Sequence, residues 1–489
     1  RANRSVHSLR EDAVSSRRPL RNIMTIITTR DIRRRPRESV ERKYDPVTTT
    51  RANAARPSNT ETVTEQRPKS RGFRFLHELL PADAWADAPR VWLIGGGPSL
   101  KDFDWSLLEG EIAIGCNRCY ERPNVGVAAF VDGPNAPGFL SWAELGQFGD
   151  SWRNYTGLKV YSQLTGKNDG IPEDVFVVNR SRTSGTDFDL EHGLPALNNT
   201  GTFAMHLAAA FGATDIRLLG YDMNNTGDTQ EHHHDGYPRK QKASVTDQML
   251  PDVAKWAPKL ESMGVKVTQY GPSRLTCFDK RPLDEAVREL KTKPERPLVI
   301  CAVTANTPYT EEVRDMVRTA RAMGLSVAVE EYESRGDWTR NCHYKPVFIE
   351  QMLRKHKRPV LWLDADSRIR RYPKALDNLK ADIGWVWWDW DEIQSCALKG
   401  LELSAGMLYL RPKPDVYRML AAWQKANMQS TSQPDQANLQ AMLEGGFKQG
   451  RLKAEMLPYT YSQIFDLQKN VGAPVIEQMQ ASRRFRNAV

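Results

Sequence analysis

No stretch of this chain stays apolar over the ~18 residues that a membrane-crossing helix requires, and no charged-then-apolar leader precedes a cleavage site. Cysteine is scarce, with six in 489 residues, too few for a disulfide scaffold. The one C-x-x-C, "CNRC" with Cys116 and Cys119, has no second pair at zinc-finger spacing. It reads as two buried thiols, with metal or redox use as the alternative. The glycine loop "IGGGPSL" lacks both the G-x-G-x-x-G of dinucleotide enzymes and the GK[ST] ending of P-loops. What remains is a globular protein without a membrane span, expected in a reducing, cytoplasmic compartment.

An excess of either charge sign is missing from most of the chain. Lys and Arg number 69 against 60 Asp and Glu, a net +9. Residues 1–70 hold 17 Lys and Arg against 8 Asp and Glu, which is the whole excess, and the other 419 residues are balanced. The segment 1–72 is rich in Arg, Ser, Thr and Pro without sustained apolar periodicity, so a disordered basic arm is expected. Such an arm can grip nucleic acid or an anionic surface through phosphates. It can equally be a solvated tail, or sequence upstream of a start at Met24, the first methionine.

From residue 73 strands and helices alternate. "RVWLIGGGPSL" (90–100), "EIAIGCN" (111–117), "VGVAAFVD" (125–132) and "TDIRLLGYD" (214–222) read as strands that end in polar residues. "NNTGTFAMHLAAAFGA" (198–213) reads as a capped helix, and 246–264 as a helix interrupted near Pro251. The charged "KTKPERP" (291–297) reads as a linker, after which the alternation resumes with "LVICAVTAN", "PYTEEVRDMVRTARAMG" and "LSVAVEEY". The fold class is therefore α/β, with two Rossmann-like domains at 73–290 and 298–489.

The second block contains "VLWLDADS", an apolar strand running into Asp364 and Asp366. Residues i and i+2 of an extended segment point to the same side, so both carboxylates can face one hard cation such as Mg²⁺ or Mn²⁺. The alternative is a pair that merely caps the following turn. The "WVWWDWD" run (385–391) is an alternating strand whose rings either pack or stack on a sugar or base.

"WTRNCHYKPVFIEQML" (338–353), "VLWLDADSRI", "SAGMLYLRP" (404–412) and "DQANLQAML" (435–443) follow one another in an order that resembles nucleotide-diphospho-sugar transferases of the GT-A fold. That resemblance implies a glycosyltransferase domain using a sugar nucleotide and a divalent metal. It places Asp364 and Asp366 at the metal and diphosphate, and Asn341 and Lys345 near the donor. Ser404, Ala405 and Gly406 fall at a small-residue turn beside the donor sugar, and Asp435 near the reacting sugar or acceptor. Read as residues alone, Lys345 can be an ordinary helix lysine and Asp435 a helix N-cap. The late His that often completes such a metal site has no counterpart in the last 25 residues.

In the first block "GGGPSLKDFDWSLL", "IGCNRCYE", "NNTGTFAMHLAAAFGATDIRLLGYDM" and "GVKVTQYGPSRLTCF" resemble bacterial sialyltransferases of the lipooligosaccharide type. They also resemble related domains of flagellin-glycosylation accessory proteins and small phage proteins. This implies a nucleotide-sugar site, CMP-linked in the sialyltransferases, at Gly95, Gly97, Ser99, Asn117, Thr200, Gly201 and Asp222. It implies a catalytic base among His232, His233 and His234, since His is poised for proton transfer near neutral pH. Those three can instead bind a metal or lie in solvent.

The expected function is a glycosyltransferase, bifunctional if both halves act, using a UDP-, GDP- or CMP-linked donor. Its acceptor is expected to be a glycan, or a hydroxymethylated base in phage DNA if the basic arm binds DNA. The alternative is a non-catalytic nucleotide-sugar-binding or scaffold protein with degenerate transferase folds.

Overall fold

The computed structural model describes residues 74–131, 150–163, 171–181, 188–195, 199–226, 229, 230, 232, 233, 244–394, 396–445 and 452–485. The basic arm and His234 lie outside the described residues. Among the described residues no helix is long and apolar enough to cross a membrane.

Short runs such as Val91–Ile94, Ile112–Cys116 and Val127–Phe130 are buried along their whole length. Continuous burial, rather than alternation, marks strands covered on both faces of a parallel sheet. They belong to a ten-stranded sheet. On one side of Val91–Ile94 the neighbours run through Ile112–Cys116, Val127–Phe130, Leu158–Gln163 and Val175–Ser181, all parallel. On its other side lie Asp215–Leu219, Lys266–Tyr270 and Asp279–Arg281, again parallel. The strand order therefore reverses between Val91–Ile94 and Asp215–Leu219.

A second, six-stranded sheet follows the same logic with a mixed edge. Leu298–Thr304 is flanked in parallel by Val327–Tyr332 and by Val360–Leu363, so the order reverses between Leu298–Thr304 and Val360–Leu363. Leu401–Leu410 then pairs antiparallel with both Val360–Leu363 and Ile383–Asp389. In open α/β sheets ligands sit beyond the carboxyl ends of the strands at such reversals, so each reversal is a candidate site.

Helix Ser244–Ser262 runs through Pro251 and Pro258 without a break, contrary to the interruption read from the sequence. Its buried positions are Thr246, Val253 and Leu260, seven residues apart, and both prolines fall on the exposed side. There the lost backbone donors leave carbonyls that water can satisfy. The Trp-rich run forms strand Ile383–Asp389 and the start of the next helix. Trp385, Trp388 and Trp390 are buried, and the last two donate to Ser462 O and Glu402. Packing occupies these three rings.

The segment 291–297 is fixed at several points. Lys293 Nζ donates to Leu107 O at 2.9 Å, and Glu295 and Asn378 exchange hydrogen bonds. Arg296 pairs with Asp377 at 2.9 Å and also reaches Gly110 O and the Tyr372 hydroxyl. One apolar cluster extends through both sheets' packing, joining Trp85 and Phe211 to Met316, Ala322 and Met323.

Candidate active sites

The carboxyl end of Val360–Leu363 delivers Asp364 to the reversal of the second sheet. Its backbone N–H bonds to Gly406 O at 3.0 Å, and its Oδ1 accepts from Trp362 Nε1 at 2.9 Å. Lys345, near the start of helix Lys345–His356, inserts between three acceptors. Its Nζ lies 3.0 Å from Asp364 Oδ1, 3.0 Å from Asp435 Oδ2 and 3.0 Å from Ala405 O. Burial alone would lower the pKa of this ammonium, but the Asp364 and Asp435 charges raise it above the ordinary lysine value. Lys345 is thus a permanently charged bridge between two candidate site carboxylates, and not an exposed helix lysine.

Asp366 accepts from Ala481 N at 2.5 Å through Oδ2, and its carbonyl accepts from Met479 N at 3.3 Å. Burial, and then the Asp364 charge, push its carboxyl up to about 6. A shift caused by a neighbouring carboxylate shows that the two acids share one field. Asp364 Oδ2 and Asp366 Oδ1 take no hydrogen bond from another described residue. These two oxygens have the chemistry a hard divalent cation takes. Among the described residues no group of three or more His, Cys, Asp and Glu is arranged to hold a metal.

Asp435 opens helix Asp435–Glu444 with Pro434 as its cap residue, and its carboxylate goes to Lys345 instead of capping the helix. A Cβ at Gly406 would fit tightly, 3.3 Å from Asp364 Oδ2 and 3.2 Å from Gln478 Oε1. Ser404 Oγ shares a buried 2.6 Å hydrogen bond with Ser462 Oγ. Asn341 is buried, and its Oδ1 accepts from Arg335 N at 2.7 Å, so its carboxamide shapes the 334–341 loop. Sequence reasoning missed Gln436. Its Oε1 accepts from Ala405 N at 3.0 Å and its Nε2 donates to Glu402 at 2.7 Å, so it fixes strand Leu401–Leu410 beside Lys345. Adjacency to Asp435 at a helix start was its only signal. Ser404, Ala405 and Gly406 lie inside that strand and not at the turn expected from the sequence.

The first sheet gathers its expected residues at its own reversal. Gly95 N bonds to Leu219 O at 2.8 Å and Gly97 N to Gly220 O at 2.7 Å. Asp222 is buried and accepts from Ser99 N at 2.7 Å and Ser99 Oγ at 2.6 Å. A Cβ at Gly97 would lie 2.4 Å from the Asp222 carboxyl carbon, so only glycine fits. The His232 ring lies against Gly96, and His233 N bonds to Gly96 O at 3.0 Å. Next to them Asn117, at φ +52°, accepts from Thr200 Oγ1 at 3.0 Å, and Gly201 O accepts from Tyr221.

His232 and His233 differ in surroundings. Arg122 donates to His233 Nδ1 at 3.0 Å, which leaves the proton on Nε2, 3.6 Å from Cys119 Sγ. Burial and the Arg122 charge push His233 down to about 4, so at neutral pH it is an uncharged ring held on both nitrogens. Burial also lowers His232. Cys116 and Cys119 are free, buried thiols, and burial pushes Cys116 up to about 12 and Cys119 well above its usual value. Neither carries thiolate character at neutral pH.

No curated protein matches this chain. Similar solved structures include a glycosyltransferase involved in the glycosylation of the major capsid of PBCV-1, at 15% identity and a TM-score of 0.30, covering 39% of this chain and 98% of that one. Another is mouse xyloside xylosyltransferase 1 in its apo form, at 13% identity and a TM-score of 0.26, covering 38% and 98%. The segment that carries Asn341, Lys345, the acid pair, Ser404 to Gly406 and Asp435 matches the nucleotide-diphospho-sugar transferase family over residues 326–481, about a third of the chain, and that match supports a glycosyltransferase.

Proposed function

We propose that this protein transfers a sugar from a nucleotide-diphosphate donor to a hydroxyl acceptor at the carboxyl end of Val360–Leu363. The observation that carries this reading is the bridge of Lys345 between Asp364 and Asp435. It ties the donor end of the site to the carboxylate expected beside the reacting sugar. Asp364 and Asp366 would hold Mg²⁺ or Mn²⁺, which when bound supplies positive charge to a departing diphosphate. Lys345 holds Asp364 and Asp435 in place. Gly406 and its neighbours leave the room a sugar ring needs for close backbone approach. Asp435 sits where it can orient a sugar or acceptor hydroxyl, although burial raises its carboxyl above the usual range.

The first sheet's reversal, lined by Gly95, Gly97, Ser99, Asn117, Thr200, Gly201 and Asp222, is proposed as a second nucleotide-sugar site. His232 and His233 are its described base candidates, with Arg122 and Cys119 on the His233 ring. The acceptor is a glycan hydroxyl, with a hydroxymethylated DNA base as the second reading if the basic arm engages phosphates.

The test is nucleotide release by the full chain from a panel of UDP-, GDP- and CMP-sugars, with and without Mn²⁺. Release from a UDP- or GDP-sugar that is lost in Asp364→Ala supports the reading. Silence across the panel would sink it in favour of a non-catalytic binding or scaffold protein. Adding glycan acceptors and hydroxymethylated DNA in separate reactions then identifies the acceptor class by the product formed.

A further inference from the structure

The stretch "LELSAG" sets one carboxylate, Glu402, two residues ahead of Ser404 in strand Leu401–Leu410. The side chain is partly buried, and its partners are two neutral N–H donors. Trp390 Nε1 donates to Oε2 at 2.8 Å, and Gln436 Nε2 donates to Oε1 at 2.7 Å. Burial raises this carboxyl, and the two hydrogen bonds oppose the shift. A carboxylate taken out of water and met only by neutral donors calls for a use.

Its use follows from the amide it holds. Gln436 is caught between neighbours of opposite character: the Ala405 N–H can only donate, and an ionised Glu402 can only accept. Oε1 therefore faces Ala405 N at 3.0 Å and Nε2 faces Glu402. Turned round, the amide would set two N–H groups against each other at Ala405 and two oxygens against each other at Glu402. Trp390 Nε1 is a donor only and fills the second Glu402 oxygen, so the direction of the relay is fixed at the carboxylate.

Ala405 can be held by side chains because the strand ladder lapses there. Two steps along Ile383–Asp389, from Trp385 to Trp387, are met by five along Leu401–Leu410, from Leu408 to Leu403. Irregularities of this kind re-aim a strand next to active sites. Ala405 N goes to Gln436 and Ala405 O to Lys345 Nζ, both at 3.0 Å. The relay that starts at Glu402 thus ends on the ammonium joining Asp364 and Asp435.

We propose that Glu402 is a positioning residue of the transferase site: it points the Gln436 oxygen at Ala405 N and so sets the Ala405 carbonyl that Lys345 grips. Glu402 acts through Gln436 and touches no substrate. Site groups keep a productive geometry when hydrogen bonds behind them lock their orientation. The inference rests on the transferase reading given above.

The experiment uses the full chain and a donor that wild type turns over, and measures kcat, KM and melting curves for Glu402→Gln, Gln436→Glu and the two substitutions combined. Glu402→Gln keeps the volume, but with Trp390 on its oxygen its new NH₂ meets Gln436 Nε2. It should lower kcat at least about tenfold with a smaller change in donor KM. Gln436→Glu sets two carboxylates face to face and should lower kcat as well. In the combined variant the new amide donates to the new carboxylate, Ala405 N keeps an acceptor, and Trp390 keeps an oxygen. Its kcat should return to within about threefold of wild type, the coupling a double-mutant cycle reads. A merely structural role would lower the melting points and leave kcat, measured well below them, unmoved. Wild-type kcat in Glu402→Gln, or a combined variant no better than the poorer single one, overturns the assignment and leaves the transferase reading standing. If wild type releases no nucleotide from any donor, the transferase reading falls and the role of Glu402 falls with it.

Discussion

Lys345 illustrates what a single buried charge can organise. A tetrahedral ammonium presents three donors, and here three acceptors lie at 3.0 Å, one on each of Asp364, Asp435 and Ala405. A planar guanidinium has a different reach and fork geometry, so arginine is not an equivalent. Lys345→Met should lower kcat for donor turnover on the order of 100-fold, from the loss of about 3 kcal/mol of positioning. Lys345→Arg should recover little of it. Steady-state kinetics decide the matter: a kcat within threefold of wild type in Lys345→Met would remove the residue from the machinery. A second residue speaks through pH. His206 is fully buried, stacked on Phe188 at 4.3 Å and edge-on to Trp256 at 4.4 Å, with no partner for either ring nitrogen among the described residues. Burial pushes it down to about 3. The unfolded chain takes up this proton near pH 6.5 and the folded chain near 3, so stability falls as pH drops through that window. The loss from this group between pH 7 and pH 4 is of order 3 kcal/mol. His206→Phe should therefore show a shallower decline in urea midpoint over that range than wild type, and parallel curves would refute the assignment.

Among the elements, helix Tyr309–Ala322 has the most varied duties. Its Asp315 receives Arg74 from the first sheet's edge at 2.8 Å, Arg318 at 2.9 Å and Arg368 at 3.6 Å. Its Glu312 holds Arg368 and Arg484, each at 2.7 Å. Burial would raise the Asp315 carboxyl, but Arg74, Arg368 and Arg318 together hold it below the usual range. A depressed carboxylate contributes stability that is present at neutral pH and is lost as pH falls through its folded value. Asp315→Ala should cost about 3 kcal/mol at pH 7, since it leaves partly buried guanidinium groups unpaired. The deficit, read from melts of both proteins, should shrink in acid, and a constant deficit down to pH 3 would contradict the charge account.

Much of this was legible in the sequence. The strands ending in "GGG", "GYD" and "DAD" announce themselves by apolar runs that stop at polar residues, and they place Asp222 and Asp364 at the two reversals. The three-way bridge of Lys345 was not legible, because it depends on three elements meeting. Nor was strand Ile476–Gln478, which is three residues long and shows no periodicity. The fixed path of 291–297 was hidden as well, because Arg296 and Lys293 read as linker charge until their partners are known.

The molecule as a whole holds its two sheets against one another through contacts with little slack. Trp85 Nε1 donates to Ala322 O at 3.0 Å, Arg371 pairs with Asp83 at 2.8 Å, and Arg358 pairs with Glu109 at 2.7 Å. The tightest approach is backbone on backbone. A Cβ on Gly126, beside strand Val127–Phe130 of the first sheet, would lie 2.0 Å from Arg321 O at the end of helix Tyr309–Ala322. No side-chain rotation relieves that contact, so any residue but glycine forces strand and helix apart. Overpacking of this kind costs about 1–3 kcal/mol. Because one apolar cluster runs through both halves, the cost should fall on a shared unfolding transition. Gly126→Ala is expected to lower that transition by several degrees in calorimetry without splitting it. If only one half's transition moved, or if Gly126→Ala melted like wild type, the two sheets would be independent bodies. Donor turnover in the same variant should fall less than in Lys345→Met, since the acid pair keeps its own partners within the second sheet.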